Sequence, residues 1–199
     1  KESDCDKDGN IRHYISYQYD KDNKLVISEK HIGNSLESRA VYKYDDKGRE
    51  IEKKLYNKSG VAYSTKVNTY EESGHTEVTY DEDSNIKFTR KVILNDKGDT
   101  LKIENVTSLN SKIIEEYEYD ESGYLIKCHV KNDDAYGVYT IYINDSKGRV
   151  LERQDYQNGE LARYLKHTYD KNGNLVAIEV FSPYDIQIGI TRYEYKKAN

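Results

Sequence analysis

The chain has 199 residues, of which 31 are basic and 36 acidic, giving a net charge of −5. The two signs are well mixed, which argues against nucleic acid as a partner, because phosphate binding favours a basic face. Hydrophobic residues make up only 36% and mean hydropathy is −0.98, close to a disordered composition, but one Pro and 21 Tyr point to a folded chain, since Tyr buries a wide ring while its hydroxyl stays wet or bonded.

At the N-terminus, Asp4, Asp6 and Asp8 alternate and are followed by Gly9 and Ile11. These fill the first, third, fifth, sixth and eighth positions of a calcium loop. The twelfth position holds Ile15 where a bidentate Glu belongs, and no helices flank the segment. Asp6 to Gly9 reads as one more repeat turn with Ile11 in its usual strand slot, and calcium at Asp4, Asp6 and Asp8 is the alternative behind it. Cys5 and Cys128 either pair in an oxidising compartment or remain free thiols, Cys128 lying beside Ile126 and Val130 on an apolar strand face.

Further along, one phrase recurs. Tyr42-Lys43-Tyr44-Asp45-Asp46-Lys47-Gly48 returns as Tyr117-Glu118-Tyr119-Asp120-Glu121-Ser122-Gly123 and as His167-Thr168-Tyr169-Asp170-Lys171-Asn172-Gly173. Looser copies start at Tyr17, Thr69, Leu94 and Tyr142, and the slot that Asp fills in most copies falls at 20, 45, 71, 95, 120, 145 and 170. A fixed period of about 25 residues marks a repeat array. It runs nearly end to end, so residues 1–199 read as one domain.

Each period divides into two strands and two turns. Asp opens a turn because its side chain bonds the backbone ahead, and Gly closes it by accepting positive φ. In the period after Asp145, Arg149 to Gln157 alternates as a strand, Asn158-Gly159 is a hairpin signal, and Glu160 to Tyr169 is the returning strand. Second turns fall near 33, 58, 81, 108, 134, 158 and 186. The spacing predicts an all-β antiparallel meander of about 15 strands, with no convincing helical period. Two strands per repeat put every Asp-x-x-Gly turn on one rim. Tyr residues two apart share a face, as do Tyr17/Tyr19, Tyr42/Tyr44, Tyr117/Tyr119 and Tyr193/Tyr195. Leu25, Ile51, Leu101, Leu125, Leu151 and Leu175 are expected between them. A sheet this wide is expected to curl, into a curved sheet or partial shell.

The phrase Tyr-x-Tyr-Asp-x-x-Gly-x-Leu, best at Tyr117 to Leu125 and at Tyr169 to Leu175, resembles the YD repeat of the RHS (rearrangement hot spot) family, over nearly the whole chain. The resemblance implies a curled β-sheet and an extracellular or envelope role in a bacterium. It does not carry over the enclosure of a cargo, because the repeats are few and no toxin segment or processing core is seen.

Chemistry is sparse. His13, His31, His75, His129 and His167 form no metal-ligand spacing and read as ring substitutions on a sheet face. No nucleophile elbow, phosphate loop or zinc-protease motif is present. No apolar run reaches the roughly 18 residues of a membrane helix. An outer-membrane barrel is opposed by strand 50–57, where Glu50, Glu52 and Lys54 fill one face and Lys53 interrupts Ile51 and Leu55 on the other. The expectation is a non-catalytic scaffold without cofactor, exported with its leader removed, that binds a protein partner in an immunity, adaptor or surface role. A glycan-binding module is the alternative, and an enzyme acting on polysaccharide stands behind it. Off-motif aromatics, namely Tyr136, Tyr139, Tyr156, Tyr164 and Tyr184, are the candidate contacts, because Tyr brings contact area with few rotors.

Overall fold

The computed structural model describes the backbone of residues 2–5, 11–132 and 135–195 and the side chains of residues 12–132 and 137–195. Among these residues there are sixteen strands and no helix. The first eight are β1 (Glu2–Cys5), β2 (Ile11–Tyr19), β3 (Leu25–Ile32), β4 (Ser35–Tyr44), β5 (Glu50–Asn57), β6 (Ala62–Glu71), β7 (Gly74–Tyr80) and β8 (Ile86–Leu94). The others are β9 (Thr100–Thr107), β10 (Lys112–Tyr119), β11 (Leu125–Asn132), β12 (Ala135–Asn144), β13 (Val150–Gln157), β14 (Glu160–Tyr169), β15 (Leu175–Phe181) and β16 (Gln187–Arg192). They follow one another in sequence order through one open sheet, the all-β meander that the 25-residue period predicts. Asp6 and Asp8, and the turn near 134, lie outside the described residues, as do the side chains of Asp4, Cys5 and Tyr136.

Contacts divide the chain into two compact units. The first is Lys1–Lys91 with Asn105–Asn110, and the second is Val92–Glu104 with Ser111–Asn199. In the first unit a cross-strand row runs Tyr17, Ser28, Ala40, Leu55, Ser64. In the second, the matching row runs Tyr117, Cys128, Thr140, Asp155, Arg163.

The Asp slot builds one loop repeatedly. At Asp45 the backbone N–H donates to the Arg49 carbonyl and the Asp45 carbonyl accepts from Gly48. Asp45 Oδ1 also accepts from the N–H groups of Lys47 and Arg49. The same bonds recur at Asp20, Asn95, Asp145 and Asp170. They recur too at Asn57 and Asp81, which lie in the second turns, so both kinds of turn use this loop. Glu71 differs: it pairs with Gly74 across a two-residue turn. Asn158-Gly159 also makes a two-residue turn, with φ of 55° and 83°, as that dipeptide favours.

The second Tyr of the phrase does a specific job. Its hydroxyl donates to the carbonyl of the residue that opens the neighbouring strand. Tyr44 reaches Leu25 (2.8 Å), Tyr70 reaches Glu50 (2.9 Å), Tyr119 reaches Thr100 (2.9 Å), Tyr169 reaches Val150 (2.9 Å) and Tyr195 reaches Leu175 (3.0 Å). Where Asn144 replaces Tyr, its amide donates to Leu125 at 2.9 Å. The pairing register shifts by one residue at Tyr44, Tyr119, Asn144 and Tyr169, and such a bulge re-aims a side chain. The open end of each of these hairpins is thereby clipped shut.

Burial is thin. Among the described residues the buried apolar side chains are Ala40, Val92, Ile103 and Tyr164, and none is fully buried. Leu25, Ile51, Leu125 and Leu175 are half-buried, whereas Leu101 and Leu151 are exposed. Leu25, Leu125 and Leu175 sit five positions past the slot and Leu101 and Leu151 six, on the opposite side of their strands; Ile51 also sits six past and is half-buried.

Candidate functional site

Tyr139, Tyr156 and Tyr164 of the second unit gather with His129 and Phe181 on one face of β11 to β15. His129, Tyr139 and Tyr156 are direct cross-strand partners. The His129 ring meets Tyr139 edge-on at 6.0 Å, and Tyr139 stacks on Tyr156 at 4.5 Å and 9°. Gly137 makes room for the first of these rings, since a Cβ there would come within 2.3 Å of His129 Nε2.

A second stack continues the face. Tyr156 Oη donates to Gln154 Oε1 at 2.9 Å. Gln154 lies two residues along β13 and so points to the same side. It pairs with Tyr164, and Tyr164 with Phe181, their rings stacked at 4.9 Å and 7°. The Lys166 ammonium lies 5.4 Å from the Tyr164 ring and 5.2 Å from the Phe181 ring, within cation–π range. Five rings therefore share one side of the sheet.

Charges rim this strip in pairs. Lys131 Nζ bonds Glu116 at 2.6 Å and Lys127 Nζ bonds Glu118 at 2.8 Å. Glu116 is the cross-strand partner of His129. Burial, and then the positive charge of Lys131, hold the imidazole of His129 below its ordinary pKa, so it is a neutral ring at pH 7. An apolar centre with a polar rim is the anatomy of an interaction surface.

Of the candidate contacts, Tyr184 is 84% exposed. It stands in the turn from Ser182 to Asp185, which Tyr164 ties down by donating to Asp185 Oδ1 at 2.6 Å. That bond, then burial, pushes the Tyr164 hydroxyl up to about 12. Tyr164 itself is a correction to the sequence reading. It is only 8% exposed, because the Phe181 stack and the Asp185 bond hold it down, so it supports the surface from beneath. Tyr139 and Tyr156 are half-buried and offer ring edges. His129 is the ring on a sheet face that the sequence led one to expect, whereas Phe181 escaped the sequence reading; its signal was cross-strand register with Tyr164.

Other expected residues take simpler roles. His31 stacks on Tyr14 at 4.4 Å, and His75 tilts against Tyr70 at 5.8 Å. Burial lowers the pKa of His167 and raises that of the Cys128 thiol. Among the described residues no three His, Cys, Asp or Glu side chains gather as a metal group, and no helix is long and apolar enough to cross a membrane.

No family model matches the chain, and no curated protein does. Among solved structures it is similar to TcdB2-TccC3 without its hypervariable C-terminal region, at 12% identity and a TM-score of 0.48, over 88% of this chain and 11% of that one. A second TcdB2-TccC3 structure aligns at 12% identity and a TM-score of 0.47, over 92% of this chain and 14% of that one. A porin-like protein from Bacteroides uniformis aligns at 12% identity and a TM-score of 0.36, over 84% and 87% of the two chains. The chain thus spans about a tenth to a seventh of the TcdB2-TccC3 chains. At such identities and scores these likenesses bear on neither family nor function.

Proposed function

We propose that this chain is a non-catalytic β-repeat scaffold, exported by a bacterium, that binds a protein partner through the ringed face of its second unit. The bacterial and exported setting rests on the resemblance of its phrase to YD repeats. The binding reading rests on one observation: five rings from five adjacent strands share a side, rimmed by paired charges, with the exposed Tyr184 beside them. Ring anchors surrounded by contacts that exclude water carry most of the energy in protein interfaces.

The test is co-purification of the whole chain with its native host's proteins, beside a Tyr139→Ser/Tyr184→Ser variant whose circular dichroism matches the parent. A stoichiometric protein complex that the variant loses supports the reading. A complex indifferent to both changes, or no complex at all, overturns it. A response confined to a glycan array overturns it in favour of a sugar ligand.

A further inference from the structure

The other face of β12 to β14 carries a charge arrangement that the ring surface does not use. Asp155 is a half-buried carboxylate with a 13% exposed side chain, and it braces two guanidiniums. Its Oδ1 accepts from Arg153 Nε at 2.8 Å and from Thr140 Oγ1 at 3.0 Å, and its Oδ2 accepts from Arg163 Nε at 2.8 Å. Thr140, Asp155 and Arg163 share a cross-strand row. Arg153 is two residues from Asp155 and points the same way, while Gln154 and Tyr156 between and beyond them point to the rings.

Elsewhere in the chain one arginine serves one carboxylate through two N–H groups. Arg39 gives Nε and an Nη to Glu29 Oε1, and Arg49 and Arg149 do the same to Asp45 Oδ2 and Asp145 Oδ2. At Asp155 two arginines share one carboxylate, each through its Nε. A guanidinium carries five N–H donors, more than one shared carboxylate can take from two arginines, and the trio holds one surplus positive charge. Burial disfavours the charged carboxyl, but the Arg163 and Arg153 bonds outweigh it and keep Asp155 below the ordinary carboxylate range. The surplus therefore persists at neutral pH.

Both arginines line an open hollow of about 480 Å³, whose other walls are Val138, Thr140, Asp155, Tyr156, Gln157 and Ala162. We propose that Arg153 and Arg163, held in place by Asp155, form a receiving site for a carboxylate, and that its ligand is an acidic side chain of a peptide segment. A planar guanidinium edge matches a carboxylate bidentately. Bracing by Asp155 and Thr140 has already removed rotamer freedom that binding would otherwise cost. The walls favour a peptide over a uronic sugar. Val138 and Ala162 offer aliphatic contact, whereas Tyr156, which also lines the hollow, has a face of its ring covered by the Tyr139 stack. This site is independent of the ring surface and stands or falls separately from it.

The experiment follows the arginine side-chain Nε–H resonances of the whole chain in titrations with a hexaglutamate peptide, inorganic phosphate and oligogalacturonate. Saturable shifts at Arg153 and Arg163 with hexaglutamate, weakened about tenfold or more in Arg163→Gln and with added salt, are expected. Arg163 has a 52% exposed side chain, so the variant should fold, and circular dichroism checks that it does. Arg163→Lys keeps the charge without the fork and should also bind less tightly. No shift, or hexaglutamate binding unchanged in Arg163→Gln, overturns the site. Phosphate or galacturonate binding as tightly as hexaglutamate overturns the peptide assignment.

Discussion

A single hydroxyl explains why the second Tyr of the phrase recurs. In a sheet with so thin a core, the clip from Tyr169 to the Val150 carbonyl competes in size with ring burial, since a hydrogen bond contributes about 1 kcal/mol net. Exposed ion pairs such as Lys43 with Glu52 contribute little. Tyr169→Phe should lower stability by about 1 kcal/mol in urea unfolding. Tyr63→Phe, at an exposed ring with no hydrogen bond among the described residues, should change it by less than about 0.5 kcal/mol. Equal effects would show that the clip carries no weight. Asn144, which reaches Leu125 by its amide, keeps the donor at this position without the ring, whereas Leu94, before the slot at Asn95, has neither. The sequence alone could not reveal this clip, because the bond depends on a one-residue shift in register at the strand end. Phe181 was hidden as well, because its place beside Tyr164, like that of His129 beside Tyr139, follows from pairing and not from spacing.

The repeated turn was the most legible element, since its chemistry lies wholly within five residues. Asp or Asn supplies the acceptor at the slot and a residue tolerant of positive φ sits three positions on, as at Gly123 (φ 88°) and Gly148 (φ 78°). Glu71, whose carboxylate stands one methylene further out, breaks the pattern and folds as a tighter turn. The two glycines separate backbone strain from crowding. A Cβ at Gly123 would meet nothing within 4 Å, whereas one at Gly148 would lie 2.3 Å from the Tyr124 ring. Gly123→Ala should cost about 1–2 kcal/mol from the left-handed backbone alone, and Gly148→Ala more, as read from urea midpoints. Equal losses would mean that Tyr124 swings clear without cost.

Across the whole molecule, the same carboxylates make the fold sensitive to acid. The backbone N–H of Arg49 holds Asp45 below the ordinary carboxylate value of 3.8. The Arg149 side chain does so for Asp145, and the Asn174 side chain for Asp170. A carboxyl lowered by folding contributes its full stability above the unfolded value and loses it as pH falls through the folded one. Thermal unfolding followed by circular dichroism should therefore give a Tm that is level from about pH 7 to about pH 5 and falls steeply below about pH 4. At the other end, Tyr164, raised to about 12, contributes stability that is whole below the ordinary tyrosine value of 10.0 and is lost as pH rises towards about 12. A Tm unchanged down to about pH 2 would refute the role of the turn carboxylates. Because each tyrosine clip closes a hairpin on itself, failure under tension should be serial. Pulled by its two ends, the strip would unzip one fastening at a time, each rupture paying out about 25 residues, or roughly 80–90 Å of slack, in a sawtooth of evenly spaced force peaks.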